Sequence, residues 1–132
     1  VDQATETAMK QMGELIAEIR GQRSLRKIAG PSGIPASQLQ YIERGIMAPT
    51  AEVYPKLLNE LQTDKEQRAK LDQLYMTIRK TPPPDVCELL INNPNLITVL
   101  RAMDDAKLSK KEMNSVLASI AQMKIKGDTD NG

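Results

Sequence analysis

The chain has no histidine, tryptophan or phenylalanine, one cysteine and three tyrosines among its 132 residues. Each shortage excludes something. Without imidazole there is no Ser–His–Asp triad and no ordinary general base near neutral pH. A zinc site that uses histidine is ruled out, and one cysteine cannot build an all-thiolate site. The same count forbids an internal disulfide. Cys87 has no cation beside it in sequence and reads as a buried, inert thiol facing the C-terminal core. No glycine-rich phosphate loop is present. The one adjacent acidic pair, Asp104–Asp105, occupies neighbouring helix positions that do not share a face. Neither an enzyme nor a metal site nor a cofactor is therefore expected. No apolar run is long enough to span a bilayer and no leader pattern opens the chain, so the expectation is a cytoplasmic protein with no membrane partner.

What is present is helix-forming. The apolar mass lies in Leu, Ile, Ala and seven Met, and β-branched runs are scarce, so an all-α class is expected. The length suits one domain or two small helical ones. Met9, Met12, Ile16 and Ile19 recur at helical spacing, with Leu15 beside them. They predict a helix over 6–20 that follows a frayed start and ends at Gly21. Ser24 suits the N-cap of a helix over 25–30, which Pro31 and Gly33 stop. Pro35 opens a third helix, to about 44, closed by Gly45. Thr50 caps a fourth through Leu61, with Val53, Leu57, Leu58 and Leu61 as its buried stripe and Pro55 as a source of bending. A fifth, over 65–79, buries Leu71, Leu74, Tyr75 and Ile78.

Pro82-Pro83-Pro84 favours stiff, extended chain. It predicts a linker over 81–85 between a domain of residues 1–80 and a helical one over 86–126. The second domain is expected to hold helices over 86–91, 94–104 and 110–124, the last started by a Ser109/Glu112 capping box. The polar tail over 127–132 reads as disordered.

The formal net charge is only +1, yet positions 20–45 hold Arg20, Arg23, Arg26, Lys27 and Arg44 against Glu43 alone, a local +4. A basic cluster on a balanced chain is the footprint expected of phosphate contact, although a solvated helix face would look the same. The spacing within this segment is more informative. Two helices crossing through a tight turn need a small residue at the crossing, glycine in the turn and apolar residues pinning both helices. Ala29, Gly33, Ile34, Leu39 and Ile42 meet those demands in order. Ser32 departs from them, because an apolar residue is usual just before the turn glycine.

The string Ile28-Ala29-x3-Gly33-Ile34-x4-Leu39-x2-Ile42-Glu43-x-Gly45, with Pro49-Thr50 after it, resembles the Xre family of bacterial and phage regulators related to lambdoid repressors. The resemblance covers roughly residues 9 to 63. It implies a five-helix lambdoid-repressor-like helix-turn-helix domain in which Glu43 ties the recognition helix to an Arg of the first helix, Arg20 being the candidate. Ala29, Gly33, Glu43 and Gly45 would be its structural motif. By position it implies base contacts from Ala36, Ser37 and Tyr41, with Gln38 and Gln40 as neighbours whose amides suit an adenine edge. Arg44 would meet phosphate, as would Arg26 and Lys27 near the start of the second helix. The implied function is sequence-specific transcriptional regulation. The expected form is a dimeric repressor on a two-fold symmetric operator in double-stranded DNA, nucleoid-associated when bound. Against the family, Leu25 stands where a phosphate-binding Gln is common, the loop before Ser24 is about two residues short, and Pro31 falls in the last turn of the second helix. A helix-turn-helix is also used for protein contact alone, which leaves an adaptor, antirepressor or antitoxin as the alternative.

The C-terminal part is rich in apolar residues for its size. Leu89, Leu96, Val99, Leu100, Met103, Leu117 and Ile120 are the candidate dimerisation residues, since about 45 residues cannot bury such surface alone. Either this part packs on the first domain or it pairs with a second copy to make a homodimer, and a protein partner on these helices is a further reading. Lys107, Lys110 and Lys111 read as a solvated turn that could also touch DNA flanking the site.

Overall fold

The computed structural model describes Asp2 through Asn131, with side chains as far as Lys124. The described residues form eight helices and no strand: α1 Gln3–Arg20, α2 Leu25–Ala29, α3 Ala36–Glu43, α4 Val53–Leu61, α5 Lys65–Arg79, α6 Pro84–Asn92, α7 Asn95–Asp105 and α8 Lys110–Asn131. The tail expected to be disordered over 127–132 is instead helical as far as Asn131, the end of α8, and Gly132 lies outside the described residues. Among the described residues no helix is long and apolar enough to cross a membrane.

Caps explain most of the boundaries. α1 starts earlier than its apolar periodicity because the Asp2 carboxylate accepts the Thr5 N–H at 2.7 Å, satisfying one of the orphan donors of the first turn. That hydrogen bond also holds the Asp2 carboxyl below its usual range. The start is therefore capped, not frayed as expected. Ser24 caps α2 through the Lys27 N–H at 3.1 Å, and α2 ends at Ala29, just before the Gly30–Pro31 pair. Thr50 accepts the Val53 N–H, and the helical run of α4 begins at Val53. Pro55 therefore falls in the first turn, where its missing N–H removes no intrahelical bond, so the bend expected at Pro55 has no cause. α5 opens with a reciprocal Asp64–Gln67 capping box, which the sequence reading missed. The Ser109–Glu112 box before α8 forms as expected, and its hydrogen bonds lower the Glu112 pKa.

The chain divides into two compact units, Val1–Leu89 and Leu90–Gly132. The division lies beyond the proline run. Pro83 is buried, Pro84 is the first residue of α6, and Asp85 pairs with Arg68 at 2.9 Å, so the segment expected as a free linker over 81–85 is held by the first unit. Cys87 also belongs here, not in a C-terminal core. It is half-buried, and its thiol donates to the Pro82 carbonyl at 3.4 Å.

The first unit has one hydrophobic core, to which α1 through α5 all contribute: Met12 and Ile16 from α1, Ile28 from α2, Leu39 and Ile42 from α3, Leu57 and Leu61 from α4, and Leu71 from α5. Burial of each large aliphatic side chain contributes about 1.5–3 kcal/mol. Tyr54 and Tyr75 stack at 4.4 Å between ring centres, and the Tyr54 hydroxyl donates to Asp72 at 2.8 Å. Tyr54, not Val53, completes the buried stripe of α4, while Val53 is only half-buried.

Burial first, and the Asp72 carboxylate second, push the Tyr54 pKa far above the ordinary value. The folded state keeps the proton that the unfolded chain loses near pH 10. This contribution to stability is complete below about pH 10 and falls above it by about 1.4 kcal/mol per pH unit. Tyr54→Phe is expected to give a shallower alkaline limb in a stability–pH profile, with the slope from Tyr75, whose pKa burial also raises, remaining. Superimposable alkaline limbs for the two proteins would contradict this.

Candidate nucleic-acid interface

α2 and α3 are joined by a short turn whose closure is explicit. The Gly33 N–H donates to the Gly30 carbonyl at 3.0 Å and the Ile34 N–H to the Ala29 carbonyl at 3.2 Å. Gly33 has φ +82°, a left-handed conformation that side chains other than glycine adopt at a cost. Ala29 is fully buried at the crossing, and Ile34, Leu39 and Ile42 face the core, as their spacing predicts. The anomalous Ser32 is also fully buried, and its hydroxyl donates to the Ile28 carbonyl at 2.7 Å. A polar group is tolerated there because it bonds back to the preceding turn. Ser32→Ala would leave that carbonyl short of its donor and is expected to cost about 1 kcal/mol in denaturant unfolding, where an unchanged midpoint would count against this role.

α3 is held against α1 by two devices. The first is ionic. The Arg20 guanidinium grips the Glu43 carboxylate with two hydrogen bonds, Nε to Oε2 at 2.6 Å and Nη2 to Oε1 at 2.9 Å. The side chains are 20% and 10% exposed, so the pair is shielded enough to matter more than a surface ion pair. The bond to Glu43 raises the Arg20 pKa further. The short loop after α1 thus does not prevent this contact. Arg20 also donates to the Arg23 carbonyl at 2.6 Å, bracing the loop itself.

The second device is steric. Gly13 of α1 lies directly against the C-terminal end of α3. A Cβ added there would sit 2.5 Å from the Ile42 carbonyl oxygen, 2.7 Å from the Glu43 carbonyl carbon, and nearer still to the Glu43 oxygen. Gly45, at φ +74°, would place its own Cβ 2.9 Å from the Lys10 Cα. Sequence reasoning found Gly45 and missed Gly13. A glycine inside an otherwise apolar-periodic helix is the signal that would have found it.

With Leu39 and Ile42 turned inward, helical geometry sends the opposite face outward. Ser37, Gln40, Tyr41 and Arg44 follow the i, i+3, i+4, i+7 pattern and are exposed, Tyr41 to 46%. Ala36 and Gln38, also expected to read bases, are half-buried at the helix flank. Ile46 is 57% exposed and adds an apolar group that sequence reasoning did not assign. Its N–H donates to the Tyr41 carbonyl at 2.9 Å, which closes the end of α3.

The basic cluster divides by role. Arg20 is neutralised by Glu43. Arg23 donates to the Ile19 carbonyl at 2.7 Å, the Arg20 carbonyl at 3.1 Å and the Leu61 carbonyl at 3.3 Å, so it ties the ends of α1 and α4 together. Arg26, Lys27 and Arg44 remain exposed. These are the three residues assigned to phosphate from sequence. A further cation outside the cluster steadies the loop after α3: Arg79 of α5 donates to the Ala48 and Pro49 carbonyls at 3.0 and 2.9 Å. Among the described residues no group of His, Cys, Asp and Glu is arranged to hold a metal ion.

Comparison of the chain with family models, curated proteins and solved structures found no match.

Proposed function

We propose that this protein is a sequence-selective DNA-binding transcriptional regulator that lays α3 in the major groove of duplex DNA. The first unit would then be a five-helix domain on the lambdoid-repressor plan, in keeping with the Xre-like motif in its sequence. The observation that carries the proposal is the two-sided character of α3. One face is locked to the core by Leu39, Ile42, the Arg20–Glu43 pair and the Gly13 crossing, and the other presents hydroxyl, amide, phenol and guanidinium groups to solvent. The major groove admits a helix, and its base edges differ in their pattern of donors and acceptors. The Gln40 amide suits an adenine edge. Ser37 can donate or accept, Ala36 suits a thymine methyl, and Tyr41 with Gln38 completes the reading set. Arg26 and Lys27 on α2 and Arg44 at the end of α3 are exposed and would position this face on phosphates without reading sequence.

The test is a gel shift on duplex fragments across a salt series. The expected result is a subset of fragments bound more tightly than the bulk, with affinity falling as salt rises. Equal, weak retention of all fragments at moderate salt would overturn the proposal.

A further inference from the structure

The second unit contains no buried residue among its described side chains. Its helices nonetheless carry ordered apolar stripes. Leu96, Val99 and Leu100 share one face of α7, and Leu117, Ile120 and Met123 share one face of α8. All six are exposed, from 38% at Leu96 to 70% at Met123. A helix that folds in water needs an apolar face to bury, and these two faces have none within the unit.

We propose that a second copy of this chain covers these faces, so that the core of the C-terminal unit is completed only in a homodimer. The amount of surface fits. At their observed exposures the six side chains present roughly 600 Å² of mostly apolar surface, against about 800 Å² from one partner in a standard interface. About two-thirds of a homodimer interface is apolar, which the six side chains would supply.

The charges fit a copy as well. Asp104 and Asp105 close α7, and Lys110 and Lys111 open α8. Each pair opposes the dipole of its own helix, which favours cations at the C-terminal end and acids at the N-terminal end. Among the described residues none of the four forms an ion pair. In a two-fold interface a contact from one residue to another is repeated in reverse, so the acids of one copy can meet the lysines of the other twice. A patch of one charge sign would repel its own copy, whereas this arrangement complements itself.

The inference goes beyond the DNA-reading proposal and stands without it. Its test is sedimentation equilibrium of the full chain in the absence of DNA, with gel shifts run separately. The wild type is expected to have twice the 14.6 kDa chain mass at micromolar concentration. Leu117→Glu is expected to weaken association by about a hundredfold. Because that change could also unfold α8, a charge series provides an independent arm. Reversing Asp104 and Asp105 to Lys should weaken the dimer, reversing Lys110 and Lys111 to Glu should do the same, and combining all four should restore it. A wild-type monomer at micromolar concentration overturns the inference, as does a dimer that both Leu117→Glu and the charge reversals leave intact. A dimer without selective DNA binding would sink only the DNA proposal, and a monomer that binds DNA selectively would sink only this one.

Discussion

Gly13→Ala is expected to destabilise the first unit by about 3 kcal/mol, the upper part of the range for overpacking. The sign is the informative part. In a helix interior, glycine to alanine ordinarily gains about 1 kcal/mol. Here the added methyl would collide with the backbone of α3 at Ile42 and Glu43, and backbone cannot rotate away as a side chain can. α1 and α3 would have to separate, and the Arg20–Glu43 pair bridges those same two helices. Against a typical total stability of about 5–15 kcal/mol the loss is large. Urea unfolding followed by circular dichroism measures it. An unchanged or raised midpoint would show that α3 is not seated on α1 as described. Because the crossing sets where α3 points, DNA affinity is expected to fall in the same variant even where it remains folded.

Replacing Arg26, Lys27 and Arg44 together with Gln is expected to lower affinity for every duplex alike. It should also reduce the slope of log affinity against log salt by about 2.7, or about 0.9 for each phosphate no longer neutralised. Arg23→Gln is expected to behave differently. Its guanidinium serves the carbonyls at the ends of α1 and α4, so the loss should appear in the unfolding midpoint, with the salt slope unchanged in the folded protein. Anisotropy titrations at several salt concentrations separate the two. A triple variant with the wild-type slope would remove these residues from the interface. If Arg23→Gln lowered the slope and left stability intact, the division of roles within the cluster would be wrong.

The extent to which this molecule was legible in sequence follows from the range of the interactions involved. Helix positions were readable because apolar periodicity and caps are local: α5 matches its expected bounds of Lys65–Arg79, and the Ser24, Thr50 and Ser109 hydroxyls all accept a capping N–H as expected. The turn at Gly33 and the inward Leu39 and Ile42 were readable for the same reason. Pro55 was misjudged by a register of about one turn, because Thr50 lies further from the first helical residue than an N-cap usually does. Arg23 and Arg79 were out of reach. Both work through carbonyls distant in sequence, Leu61 for one and Ala48 and Pro49 for the other, and no pattern marks which carbonyls a fold will leave unpaired. Charge counting therefore included Arg23 in the basic cluster, although its donors serve backbone carbonyls. The proline run misled in the opposite direction. Stiffness was read as separation, yet Pro83 is buried and Asp85 is paired. The outward face of α3 was readable as a set of positions, but the half-burial of Ala36 and Gln38 depends on neighbouring elements that the sequence does not display.

The decisive measurement is a selection of binding sites from a random duplex library by the wild-type protein and by Gln40→Ala, both checked for unaltered unfolding midpoints. If α3 reads bases through its exposed face, the wild type enriches a defined motif and Gln40→Ala relaxes preference at one position of it, with the other positions retained. No enriched motif, or the same motif at full strength from both proteins, would contradict the assignment of α3 as the reading helix.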